Sequence, residues 1–381
     1  MKIDQDQKFE HFAKSYRLGD IAKVVRGERV TKAQLSDGYQ YPVISGGTRP
    51  LGYFTRYNRS SNVITIAQYG TAGYIDWQNQ AFWANDVCYC IYPNELILNR
   101  FLYYSLLNQQ EHIFELKTNA IPAHLPIESL VSVKITIPSL EIQKEIVRIL
   151  DTFTELEAEL EAELETRIKQ YSYYKKYLLS DEIYRNCEEF SLFDIAYFRN
   201  GKGHESCIVD KSDYIVVNSK FISANGNVIK TSDSQLSPLY RNDIALVMSD
   251  LPNGKALGKC YLIESDGKYT LNQRIGAITT KNEESVKTKY LYYQLNRNRQ
   301  LLRYDNGVDQ TNLKKNEILE ILVSVPPIEI QERVIHILDQ FDTLVNDISQ
   351  GLPAEIAARR KQYEYYRNKL LTFKEVANES V

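Results

Sequence analysis

The sequence predicts an α+β protein in which two sheet-rich domains are separated by two long helices pairing as a coiled coil. Two observations predict this. The stretch EIQKEIVRILDTFTELEAELEAELETRIKQYSYYKKYLL, from Glu141 to Leu179, returns in large part as EIQERVIHILDQFDTLVNDISQGLPAEIAARRKQYEYYRNKLL, from Glu329 to Leu371. The segments ahead of the two copies also match, each a series of short strand-like runs separated by glycine and proline turns. A chain of 381 residues is long for one domain, and a repeat much larger than a solenoid unit suggests two similar domains with something shared between them.

Each half opens on a Leu-x-Asp-Ile-Ala core followed by a glycine, YRLGDIAKVVRGE from Tyr16 and FSLFDIAYFRNGK from Phe190. Strand-like runs follow: NVITIAQYGTAGYIDW and DVCYCIYP in the first half, YIVVNS, DIALVMS and KCYLIES in the second. Short aromatic helices come next, FLYYSLL from Phe101 and YLYYQLN from Tyr290. Both halves then run through a strand into proline, VKITIPSLEIQ and ILVSVPPIEIQ, and enter the long helix. The expected layout is a first domain over 1–136, a long helix over 137–180, a second domain over 181–324, a second long helix over 325–375 and a tail over 376–381.

The helices carry an apolar seam. In the first, Ile142, Ile146, Ile149, Phe153, Leu156 and Leu160 step by alternating fours and threes, continuing through Leu164 and Ile168 to Tyr171. In the second, Ile330, Val334, Ile337, Phe341, Leu344 and Ile348 do the same, followed by Leu352, Ile356, Arg359, Tyr363 and Tyr366. Such a stripe demands an apolar partner, and each helix is the other's obvious one. The tyrosines crowding the helix ends, Tyr174 among them, have helical spacing suited to packing against helices. From Leu156 to Tyr171 is 15 positions and from Leu344 to Tyr363 is 19, so the second helix holds four more residues, around GLPAEI, where Gly351 and Pro353 are candidates to break it. The acidic run from Glu155 to Glu165 would repel phosphates and reads as a solvated face.

Composition excludes several classes. No apolar run is long enough for a bilayer span and the N-terminus lacks a signal-peptide core, so the expectation is a cytoplasmic protein with no membrane partner. A net charge of −3 gives no global basic signal, so any nucleic-acid binding must come from local patches. Of the five cysteines only Cys88 and Cys90 are close, two apart on a strand, as buried small hydrophobes would be, and no second pair is spaced for zinc. The five histidines are scattered and read as structural or solvated. There is no Asn-Pro-Pro-aromatic tetrapeptide, no glycine-rich loop placed like a cofactor site and no P-loop.

The two L-x-D-I-A openings, the paired starts IPSLEIQKEIVRILD and PPIEIQERVIHILD, and the ending RRKQYEYYR from Arg359 to Arg367 resemble the specificity subunits of type I DNA restriction-modification systems, over nearly the whole chain. The resemblance implies that each globular part is a target-recognition domain reading one half of a split site on double-stranded DNA. It implies that the helices form an antiparallel spacer and dock the modification (methyltransferase) subunits, two of them. It also implies that this chain is non-catalytic and binds no cofactor itself. S-adenosylmethionine, ATP and Mg would belong to partners, the last two to ATP-dependent restriction subunits. The alternative is a coiled-coil adaptor whose globular halves bind proteins.

Base edges and phosphates are read by donors and acceptors displayed on loops. In the first domain SGGTRPLGYF offers Thr48 and Arg49, AQYGTAGY offers Gln68, Tyr69 and Thr71, and KTNAIPAHL offers Asn119. In the second, LPNGKALGK offers Asn253 and Lys255, YTLNQRIG offers Asn272, Gln273 and Arg274, and NGVDQTNLKK offers Gln310 and Asn312. The same residues would also serve as ordinary solvated turns. For helix packing the candidates are Ile146, Ile149, Phe153, Leu156, Tyr171, Tyr174, Val334, Ile337, Phe341, Leu344, Tyr363 and Tyr366.

Overall fold

The computed structural model describes residues 13–180, 183–184, 187–252, 254–347 and 350–373. Asn253, Ile348 and the tail over 376–381 lie outside the described residues. Two compact units divide the chain, Met1–Ala162 with Glu355–Val381, and Glu163–Ala354.

In the first unit, the run VITIA (Val63–Ala67) is apolar enough to be buried along its whole length, and it becomes an inner strand. The four-stranded antiparallel sheet has the order Ala22–Arg26, Cys88–Pro93, Val63–Ala67, Ile75–Gln78. Cys88 and Cys90 are buried in it, as the spacing predicts. A smaller sheet pairs Tyr41–Ile44 antiparallel with Tyr53–Phe54 and parallel with Trp83–Ala84. The helix Asn99–Asn108 sends Phe101, Leu102, Tyr104 and Leu106 into the core. Lys14–Arg17 pairs with Lys134–Ile137, so the strand entering the domain and the strand leaving it are hydrogen-bonded neighbours.

The second unit repeats this plan. Its main sheet runs Ala196–Asn200, Ile275–Thr280, Ile244–Val247, Cys260–Leu262, and a second sheet again contains one parallel pair, Tyr214–Val217 with Tyr269–Leu271. Glu189–Ser191 closes on Leu322–Ser324. The glycine after each L-x-D-I-A core has one physical role. Gly27 N–H donates to Cys88 O (3.0 Å) and Gly201 N–H to Ile275 O (3.1 Å). A Cβ on Gly27 would stand 2.2 Å from the carbonyl oxygens of both Ala84 and Asn85, and one on Gly201 2.0 Å from that of Asn272. Only glycine permits this approach of backbone to backbone.

The first long helix spans Leu140–Leu178. The Gln of each EIQ motif is fully buried and anchors a helix start. Gln143 Nε2 donates to Pro138 O (2.9 Å) and Leu96 O (3.2 Å), while its Oε1 accepts from Leu98 N–H (2.8 Å). Gln331 Nε2 donates to Pro326 O (2.8 Å) and Ser285 O (2.9 Å), and its Oε1 accepts from Lys287 N–H (2.9 Å). One and two turns of helix further on, Ile146 and Leu150 enter the first unit's core, and Val334 and Leu338 pack in the second unit. The aspartate after each of these leucines binds the short aromatic helix of its own unit. Asp151 accepts from Tyr104 Oη (2.5 Å) and Arg100 Nε (2.7 Å), and Asp339 from Tyr293 Oη (2.6 Å) and Lys289 Nζ (2.7 Å).

Within the first unit the helix runs antiparallel to the returning segment Leu352–Leu370. Phe153 stacks on Tyr366 (ring centroids 5.4 Å apart) and touches Tyr363 (6.4 Å), while Arg360 binds Glu157 (2.5 Å) and Glu161. Within the second, Phe341 meets Tyr174 (5.5 Å) and Tyr171 (6.1 Å), and Tyr171 Oη donates to Asp342 (3.4 Å).

The seam differs from the expected one in two respects. Ile149, Ile337 and Leu344 are only half-buried, Leu156 is 41% exposed, and Tyr174, although stacked on Phe341, is 42% exposed. The reason is that the most buried stripe, Gln143, Ile146 and Leu150, faces the helix's own globular domain, and opposite the acidic run the returning segment offers Arg360, so pairing there is ionic. The second helix, expected over 325–375, is two helices, Ile328–Asn346 and Leu352–Leu370. Gly351 N–H donates to Asp347 O (3.0 Å), and a Cβ on Gly351 would lie 2.4 Å from Thr343 O. Pro353 sits in the first turn of the new helix, where its missing N–H has no bond to break.

Candidate nucleic-acid interface

Three loops meet at one edge of the first unit, over 45–50, 68–74 and 117–125. Thr71 N–H donates to Gly46 O (2.7 Å), which ties the first loop to the second. Leu125 N–H donates to Gln68 O (2.9 Å) and Tyr69 stacks on His124 (5.3 Å, interplanar angle 22°), which ties the second to the third. Thr48, Arg49, Thr71 and Asn119 are exposed on these loops, and Tyr69 is half-buried. Gln68 is different: it is buried, with its backbone bonded to Val87 and Leu125, so it holds the loop base and presents no amide edge to solvent.

Thr48 and Arg49 also line a cleft of about 120 Å³ with Thr65, Tyr74, Asp76 and Gln78. Burial pushes the Asp76 carboxyl above its usual value, against the opposing effect of hydrogen bonds from Trp77 N–H and Gln78. Gln78 Nε2 donates to Asp76 (2.9 Å) and to Thr65 Oγ1 (3.1 Å), so the cleft's polar groups are held in fixed orientation.

The second unit builds a similar edge from 248–252 with 254–259, from 304–313, and from 272–275, which is the counterpart of 85–88 in the first unit and not of 45–50. Met248 N–H donates to Arg274 O (3.0 Å), Leu313 N–H to Met248 O (2.8 Å) and Gln310 Nε2 to Ser249 Oγ (2.8 Å), and Ser249–Asp250 pairs with Thr311–Asn312. Lys255, Gln273, Arg274, Gln310 and Asn312 are exposed. Asn272 is half-buried and spends its Oδ1 on Gln273 N–H (2.9 Å), while the Gln273 amide donates to Glu205 (3.0 Å). The sequence reading missed Asp250, whose carboxylate accepts from the N–H groups of Ala256 (2.7 Å), Leu251 (2.9 Å) and Leu257 (3.1 Å) and so braces the loop that carries Lys255. Its signal was an aspartate opening a proline- and glycine-containing turn.

Among the described residues no group of three or more His, Cys, Asp and Glu is placed to hold a metal ion, and no helix is long and apolar enough to cross a membrane. His204 is buried and satisfied, its ring nitrogens 2.7 Å from Lys202 O and 2.8 Å from Thr270 Oγ1. What the two edges offer is display, with polar side chains on loops whose bases are bonded to a sheet.

The chain matches the family described as type I restriction modification DNA specificity domain twice, over residues 13–170 and 184–358. It belongs to that family. A type I restriction enzyme specificity subunit of Haemophilus influenzae is 29% identical to this specificity-domain protein, over 93% of this chain and 94% of the relative. The EcoR124I/EcoR124II specificity subunit of Escherichia coli is 34% identical over 62% of this chain and 60% of its own length. Among solved structures, the S subunit of a type I restriction-modification system from M. genitalium covers 99% of the chain with a TM-score of 0.64 at 18% identity. At that identity the likeness is one of fold, and the doubled domain plan described above is what it shares.

Proposed function

We propose that this chain is the sequence-reading subunit of a type I restriction-modification complex, each unit's loop cluster reading one half of a bipartite site on double-stranded DNA. The observation that carries this is the doubled edge. Two backbone hydrogen bonds recur, Gln68 N–H to Val87 O and Leu125 N–H to Gln68 O in the first unit, Met248 N–H to Arg274 O and Leu313 N–H to Met248 O in the second, yet the side chains on the loops differ, as two readers of two different half-sites require. The chain is not itself catalytic. Methyl transfer from S-adenosylmethionine belongs to two modification subunits docked on the long helices, and cleavage using ATP and Mg belongs to restriction subunits, all in the cytoplasm. The paired helices set the spacing of the half-sites.

The test is an exchange. Residues 192–324 are replaced by the corresponding segment of another family member, and the DNA methylated by the assembled complex is sequenced. One half of the recognised site should change and the other should stay. A change in both halves, or in neither, would sink the reading.

A further inference from the structure

We propose that Ile121 is a wedge that enters the base stack of the first half-site when DNA is bound; this rests on the reading of the loops as DNA readers. Ile121 is 101% exposed, the most exposed of the large hydrophobic side chains among the described residues. It does not sit on a loose strand of chain. Thr118 N–H donates to His124 O (2.9 Å), Thr118 Oγ1 lies 3.1 Å from His124 Nδ1, His124 stacks on Tyr69, and Tyr89 Oη donates to Leu125 O (3.2 Å). The base of the loop is thereby fixed to the sheet, and only its tip stands free.

A branched aliphatic side chain held out in water on a braced loop gains nothing in the free protein. Its surroundings point to an apolar gap with polar edges. Asn119 and Thr71 are exposed on the same edge, with donors and acceptors suited to phosphates and groove edges, and the space between two unstacked base pairs is apolar within and polar at its rim. The second unit repeats the device, with Val308, 76% exposed, at the tip of the corresponding loop, where Asn306 Oδ1 accepts from the N–H groups of Val308 (2.9 Å) and Asp309 (3.0 Å). A methyltransferase working on a base must take that base out of the stack, and a side chain filling the space left behind would favour the extruded state.

The experiment uses this chain assembled with its modification subunits and a duplex bearing the site identified by sequencing methylated DNA. 2-Aminopurine is placed in turn at each position of the first half-site. The native complex should raise fluorescence at one step. Ile121→Gly should abolish that rise and slow methylation at the first half-site about tenfold, while Ile121→Leu should retain both. The proposal is overturned if Ile121→Gly keeps the rise and the rate. It is also overturned if the glycine variant instead loses its modification subunits on size-exclusion chromatography, because Ile121 then fills a protein pocket. A native complex that methylates without any defined first half-site would overturn the DNA-reading assignment itself, and the wedge with it.

Discussion

Arg274 and Val87 occupy the same place in the two units, each lending its carbonyl oxygen to the N–H that opens the neighbouring loop, Met248 in one and Gln68 in the other. The shared backbone thus carries an exposed arginine in one copy and a half-buried valine in the other. Arg274 is exposed, whereas Asn272 and Gln273 beside it are engaged in local hydrogen bonds. Arg274→Ala in the assembled complex should therefore cost about 1–3 kcal/mol at a single base pair of the second half-site. Methylation of duplexes substituted one pair at a time checks this, and uniform weakening on all of them would make Arg274 a phosphate contact. Residue types on glycine-rich turns pick out Arg49, Thr71 and Arg274 as candidates, and all three are exposed. Residue type could not show that Gln68 is buried, because its backbone is held inside by bonds to Val87 and Leu125, the latter distant in sequence.

The long helices show what periodicity can and cannot carry. Spacing by threes and fours predicts Leu140–Leu178 nearly to its ends, since hydrophobic recurrence is a local property. The stripe does not say what it faces, and the face buried deepest contains Gln143, which no apolar pattern would pick out. The break before Leu352 also alters how the spacing role is tested. For that test, four residues are added after Glu161 and after Ala357, within helical turns flanking the Arg360 ion pairs. Four residues lengthen a helix by about 6 Å, and a base pair rises about 3.4 Å. The unread spacer should therefore grow by roughly one to two base pairs, with both half-sites unchanged when methylated DNA is sequenced. An active variant with its spacer unaltered would show that the helices do not measure DNA.

At the scale of the molecule, six of the 28 tyrosines set an upper limit on pH. Burial pushes Tyr103 and Tyr261 up to about 12, and moves Tyr104, Tyr171, Tyr292 and Tyr293 further in the same direction. In the unfolded chain these phenols ionise near 10, while the folded protein keeps them protonated to about 12. The native state then binds more protons than the unfolded one between those values. The contribution to stability is complete below pH 10 and is lost as pH rises toward 12. Urea midpoints should be insensitive to these groups below pH 10 and fall steeply above it. Because exposed rings such as Tyr57 and Tyr365 contribute their own absorbance, the check is the unfolding midpoint against pH followed by circular dichroism, and a midpoint that stays level from about pH 9 to about 11 would sink this account.

The first compact unit joins Met1–Ala162 to Glu355–Val381, and this imposes an order on its manufacture. A ribosome delivers Phe153 some two hundred residues before Tyr363 and Tyr366, the rings that cover it, and delivers Phe101 long before Phe373 reaches it. The sheet can close as soon as Lys134–Ile137 emerges to pair with Lys14–Arg17, yet the apolar strip along its helix stays open through the synthesis of everything between. A nascent chain stalled or cut short in the second domain would carry that strip uncovered, the kind of surface that chaperones hold and proteases select. The early half of the first unit is thus completed by the late half of the chain.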